Sequence, residues 1–80
     1  MDTATWINEE IGKRVTSSME QAGINKMQLA NATGIARTTL TRSLAGRGPG
    51  FRMLELIAIG KVLNENYANW LPIPSLEATG

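Results

Sequence analysis

The chain has 80 residues and a formal net charge of +1, with no Cys and no His. This length supports one domain, and so short a chain hides only roughly 60% of its unfolded surface. Disulfides are excluded, zinc, haem and iron–sulfur centres lose their usual ligands, and a Cys nucleophile, a His general base or a Ser-His-Asp triad cannot form.

The elements read as helices throughout, because no run alternates with period two between turn signals. Ile7, Ile11, Val15 and Met19 recur every four residues and Ala22 follows, one apolar stripe at helical spacing. Thr5 is the expected N-cap, Glu9 and Glu10 the expected dipole partners, and Gly23 the stop, so a first helix is predicted over 5–22. Asn25 and Gln28 form a capping-box pattern for a short helix over 26–33, with Met27, Leu29, Ala30 and Ala32 as its small or apolar positions. Gly34 ends that helix. A third begins near Ala36, with Ala36, Leu40, Ser43 and Leu44 turned inward, and Gly46 ends it.

Gly46-Arg47-Gly48-Pro49-Gly50 is a loop on composition. Phe51 to Leu63 resumes a helical pattern, with Leu54, Ile57, Ala58, Lys61 and Val62 on related turns and Asn64 as a left-handed stop. Asn66 caps a last short helix over 67–71, which Pro72 and Pro74 keep from continuing. The predicted organisation is one all-α domain over 1–71 and a tail over 72–80.

Charge is unevenly placed along this framework. From Asn25 to Leu54 the chain carries Lys26, Arg37, Arg42, Arg47 and Arg52 and no acid, a local charge of +5. The remainder holds three basic and seven acidic residues, a net of −4. A solvated surface can carry such a run by chance, but a domain that keeps acid off one contiguous stretch presents a positive face.

The two helices around Gly34 have specific spacing. Counting from Lys26, Leu29 is fourth, Ala30 fifth, Gly34 ninth and Leu40 fifteenth. A small residue lets the second helix cross closely, the glycine turns the chain within few residues, and the two leucines fix both helices to the core. The second helix is then a rigid protruding rod of the kind the major groove, about 12 Å wide, accepts. Residues 26–46 resemble the helix-turn-helix of the Cro-type, lambda-repressor-like family, and the likeness extends over residues 5–71. It implies a compact five-helix DNA-binding domain acting as a small phage-type or prophage-type repressor. The sequence departs from that family at Ala36, where a Ser or Thr N-cap is usual, at Ser43, where a branched apolar residue is usual, and in the glycine-rich segment after Gly46.

By the family's geometry, Arg37, Thr38, Thr41 and Arg42 are the expected base contacts. Arg37 and Arg42 are each suited to a guanine edge, the alternative for either being a grip on phosphate alone. Asn25, Lys26, Thr39, Arg47 and Arg52 are the expected phosphate contacts. Duplex DNA is the expected partner; no cofactor, metal or catalytic residue is expected.

Rival readings are weaker. The glycine loop lacks the Lys-Ser/Thr of a P-loop and follows no strand; it faintly resembles an AT-hook core, which would imply a minor-groove touch by Arg47, but the second Arg is missing and Pro49 is displaced. Glu9 and Glu10 face different ways on a helix and do not make an acid/base pair. The serious alternative is an antitoxin-like protein-interaction module on the same fold. Its exposed apolar candidates are Trp6, Tyr67, Trp70, Leu71, Ile73 and Leu76, and helix five with the tail (Trp70, Leu71, Ile73) is the candidate self-association surface, against the plainer expectation that Trp70 and Leu71 complete the core, since surface Trp is uncommon.

The longest uncharged apolar stretch, Leu56 to Gly60, falls far short of the roughly 20 residues that span a bilayer. No basic segment leads into an apolar run at the N-terminus, so a cytoplasmic location is expected. With nine residues beyond the last predicted helix, the expectation is a chain without a ligand-sensing, oligomerisation or self-cleavage domain.

Overall fold

The computed structural model describes residues 3–72. Its elements are α1 (Thr3–Ala22), α2 (Lys26–Thr33), α3 (Arg37–Leu44), α4 (Met53–Leu63) and a single 3-10 turn (Tyr67–Trp70), with no strand among the described residues. Helix α1 packs against α3, α4 and the 3-10 turn, while α2 packs against α3 and α4. The result is a compact all-α globule of four helices and one turn.

The stripe on α1 forms as its spacing predicts: Ile11, Val15 and Met19 are buried, with Ile7 packed against the core edge. Ala22 is exposed, because the chain leaves the helix there. The Ile24 N–H donates to Met19 O at 3.0 Å and the Gly23 N–H to Glu20 O at 3.2 Å, with Gly23 at φ 69°. This pair of bonds satisfies carbonyls that a helix end leaves free. The helix starts at Thr3, so Thr5 lies inside it rather than capping it. Glu9 and Glu10 therefore sit in the second turn, beyond the reach of the N-terminal dipole. Glu10 instead accepts from Arg14 Nε at 3.2 Å, one helical turn on.

Two α1 residues set its contacts with distant elements. Gly12 is buried, and a Cβ there would overlap the Leu44 carbonyl oxygen, so α1 and the end of α3 meet main chain to main chain. Ser18 is buried and accepts from the Trp70 indole Nε1 at 2.9 Å.

The expected helix over 67–71 is only one 3-10 turn. Asn66 Oδ1 accepts from the Ala68 N–H at 2.9 Å and starts it. Leu71 is extended at ψ 118°, as a residue preceding a proline prefers, and the turn ends. Trp70, only 2% exposed, fills the core and does not stand on a surface. Leu71 and Tyr67 are half-buried against it, and Ile73 and Leu76 lie outside the described residues.

Helix α4 begins two residues later than the pattern suggests. Gly50 is left-handed at φ 82° and Arg52 extended at ψ 156°, so the first helical residue is Met53. Glu55 Oε1 accepts from the Arg52 N–H at 2.8 Å and supports that start. The buried face is Leu56, Ile59, Gly60 and Leu63, whereas Leu54 is 80% exposed and Ile57, Ala58 and Val62 are half-buried. Apolar residues occupy nearly every side of this helix, so periodicity alone selects the wrong stripe; packing against α2 and Trp70 decides the rotation. Asn64 takes the left-handed stop at φ 58°, as its position predicts.

Candidate nucleic-acid interface

The local structure from 25 to 46 follows from its caps. Asn25 Oδ1 accepts from the Gln28 N–H at 2.8 Å, and Gln28 Oε1 accepts from the Asn25 N–H at 2.9 Å, a complete capping box. The Lys26 and Met27 amides remain among the donors that any helix start leaves without a helical partner. Gly34 closes α2 at φ 80°, its N–H donating to Ala30 O at 2.9 Å. The Thr33 hydroxyl tightens the turn: it donates to Leu29 O at 2.8 Å and accepts from the Ile35 N–H at 3.2 Å. Leu29 and Leu40 are fully buried and Ala30 is 8% exposed, so the positions chosen by spacing hold the two helices to the core. Met27 and Ala32 face solvent.

Helix α3 starts without a side-chain cap. Ala36 occupies the N-cap position, extended at ψ 137° and exposed, where an inward-facing residue was expected. Beyond it, Leu40, Ser43 and Leu44 are buried and Arg37, Thr38, Thr39, Thr41 and Arg42 are exposed. Ser43 is accommodated in the core-facing row beside Leu44, so the departure at this position leaves the helix facing as its pattern predicts.

The structure brings Arg37, Thr38, Thr41 and Arg42 together around one shallow depression on the outer face of α3. A second cleft lies between α3 and the start of α4, lined by Thr39, Arg42, Arg47 and Arg52 together with Pro49 and Glu55. Arg42 belongs to both. Asn25 and Lys26 line neither; they border a separate hollow beside Met19 and Ile24. Among the described residues the ion pair is Arg14 with Glu10, so Lys26, Arg37, Arg42, Arg47 and Arg52 are exposed with no carboxylate partner. In particular, neither Glu20 nor Glu55 pins Arg37 or Arg42.

The loop that closes this site is more ordered in its contacts than its composition suggests. The Arg47 N–H donates to Arg42 O at 2.9 Å and the Gly46 N–H to Ser43 O at 3.0 Å, a Schellman closure with Gly46 at φ 77°. A Cβ on Gly46 would fall 2.6 Å from Glu9 Cγ, and one on Gly50 would meet the Asn8 carboxamide, so both glycines press the loop onto α1. Gly48 faces the other way, against the Arg42 guanidinium. Sequence spacing marks Gly46 as a helix stop and 46–50 as a loop, but not the close approaches of Gly12, Gly46 and Gly50 between α1 and its neighbours or of Gly48 to Arg42. The available signal was glycine in a helix interior and at alternate loop positions, which marks close main-chain approach.

Among the described residues no group of three or more His, Cys, Asp or Glu side chains comes together to hold a metal, and no helix is long and apolar enough to cross a membrane. No protein-family model matches the chain, and no curated protein matches it.

Proposed function

We propose that the chain binds duplex DNA sequence-specifically through the major groove and acts as a small transcriptional regulator of the phage-repressor type. One observation carries this reading: α3 is anchored by Leu40, Ser43 and Leu44 while its outer face presents Arg37, Thr38, Thr41 and Arg42 with no acidic partner among the described residues. A short rod fixed at its back and cationic at its front suits a groove edged by phosphates. In this reading the rod lies in the groove with its N-terminal end toward the bases. Thr39, Arg47 and Arg52, with Asn25 and the start of α2, hold the flanking backbone.

The test is a selection of bound fragments from random DNA, repeated at two salt concentrations. A defined consensus is expected, with affinity falling as log salt rises at a slope of about −3.6 if four phosphates are neutralised. A slope near zero, or no enriched sequence, refutes the reading. A symmetric consensus would place two copies on one site, with half-sites about 34 Å apart.

A second reading, a protein-interaction module, is favoured by one feature. Met53 and Leu54, 53% and 80% exposed, put apolar surface at the start of α4. Replacing Leu54 by Glu separates the two: DNA affinity is retained if that surface serves another protein, while binding of such a protein is lost.

A further inference from the structure

Arg42 stands in the last turn of α3, and its position is set by the loop that follows. Its carbonyl accepts the Arg47 N–H at 2.9 Å, which folds the loop back over the helix end. The chain then reaches Gly48. A Cβ at Gly48 would lie 2.9 Å from one terminal nitrogen of Arg42, 3.6 Å from its Cζ and 3.9 Å from its Nε. The guanidinium group therefore stands beside Gly48, in the space that a side chain on residue 48 would enter. An arginine that reads a guanine must extend both arms toward O6 and N7. This one is drawn back toward the loop.

In that position Arg42 shares the second cleft with Thr39, Arg47 and Arg52. Three arginines line it, with Glu55 as the single acid of the lining, and Glu55 Oε1 already accepts from the Arg52 N–H at 2.8 Å. Close guanidinium groups repel one another unless an anion stands among them. A phosphodiester oxygen pair suits their forked donors, and Thr39 adds a hydroxyl. We infer that Arg42 is a clamp rather than a base reader: lying beside Gly48, it completes with Arg47, Arg52 and Thr39 a seat for one backbone phosphate of duplex DNA. The inference rests on the DNA-binding reading and refines it, because it leaves Arg37 as the arginine of α3 that reads a base.

The experiment uses the full chain and two variants, Arg42→Ala and Arg42→Lys, each carried through random-sequence selection and salt titration on the selected duplex. Arg42→Ala is expected to weaken binding to selected and unrelated duplexes by the same factor. It leaves the consensus unchanged and makes the salt slope shallower by about 0.9, one phosphate contact. Arg42→Lys is expected to recover the slope but not the full affinity, since an ammonium keeps the charge and loses the fork. Loss of preference at one base position in Arg42→Ala overturns the seat and restores base reading. So does an Arg42→Ala variant that binds like the parent. If the parent chain itself shows no salt-dependent DNA binding, the DNA reading fails and the seat falls with it, an outcome distinct from the other two.

Discussion

The Trp70 indole donates to the Ser18 hydroxyl at 2.9 Å, joining residues 52 apart in sequence, and both side chains are buried. The bond fastens the 3-10 turn to the middle of α1 and gives the indole N–H the partner that a buried Trp requires. Among the described residues no buried side-chain polar atom lacks a partner. Ser18→Ala would create one. It is expected to cost about 1–3 kcal/mol, measured as a lower urea midpoint with an unchanged slope. The double variant Ser18→Ala with Trp70→Phe should cost less than the two single changes added together, because it removes both partners. Strict additivity would show that the bond does not contribute.

Gly12→Ala tests whether α1 and α3 meet main chain to main chain. Helix propensity alone favours alanine by about 1 kcal/mol. The added Cβ would overlap the Leu44 carbonyl oxygen and lie 2.8 Å from its carbon. Overpacking of this kind typically costs about 1–3 kcal/mol, and neither neighbour is a flexible side chain that can give way. A net fall in Tm is expected and, on the proposed DNA-binding reading, weaker DNA binding as the end of α3 is displaced. A rise in Tm would show that propensity wins and that the two helices have room to part.

Ala36→Ser is expected to stabilise the protein. Residue 36 stands at the N-cap position with non-helical backbone (φ −58°, ψ 137°), is exposed, and makes no side-chain bond to the start of α3. A hydroxyl there supplies the missing acceptor, worth about 1 kcal/mol. In a domain of this size that corresponds to a Tm increase of roughly 4–8 °C. An unchanged Tm would mean that water already satisfies those amides equally well.

If the proposed DNA-binding reading holds, Arg37→Ala is expected to relax preference at one base position of the selected consensus, with a loss of about 1–3 kcal/mol against the parent sequence. Binding to unrelated DNA should fall much less. A uniform loss over all sequences would make Arg37 a phosphate contact. Compared with Arg42→Ala in the same selection, it distinguishes the two ends of α3.

Much of the framework could be read from the chain because it depends on neighbours in sequence. The Asn25–Gln28 capping box, the left-handed stops at Gly23, Gly34, Gly46 and Asn64, and the stripe of Ile11, Val15 and Met19 are local: each needs only a few residues to satisfy a helix end or line one helical face. The same holds for the two-helix unit, where Leu29, Ala30 and Leu40 are buried at the spacing that selected them. The exclusion of an acid from 25–54 is likewise a property of composition.

Other features were decided only when distant segments met. Helix α4 is apolar on almost every side, so its buried face depends on what packs against it, and Leu54 is left in solvent while Leu56 and Ile59 enter the core. Gly12 and Gly46 differ from ordinary helix and loop glycines because Leu44 and Glu9 approach them from another element. Trp70 is equally apolar in a core or on a surface, and Ser18 supplies the polar partner that lets it be buried. The placement of Arg42 against Gly48 arises in the same way: a flexible cationic side chain has no preferred direction until a loop folds beside it. Short-range hydrogen bonding and periodicity are written in adjacent residues, whereas close approach and side-chain direction are set by the neighbours that folding brings in.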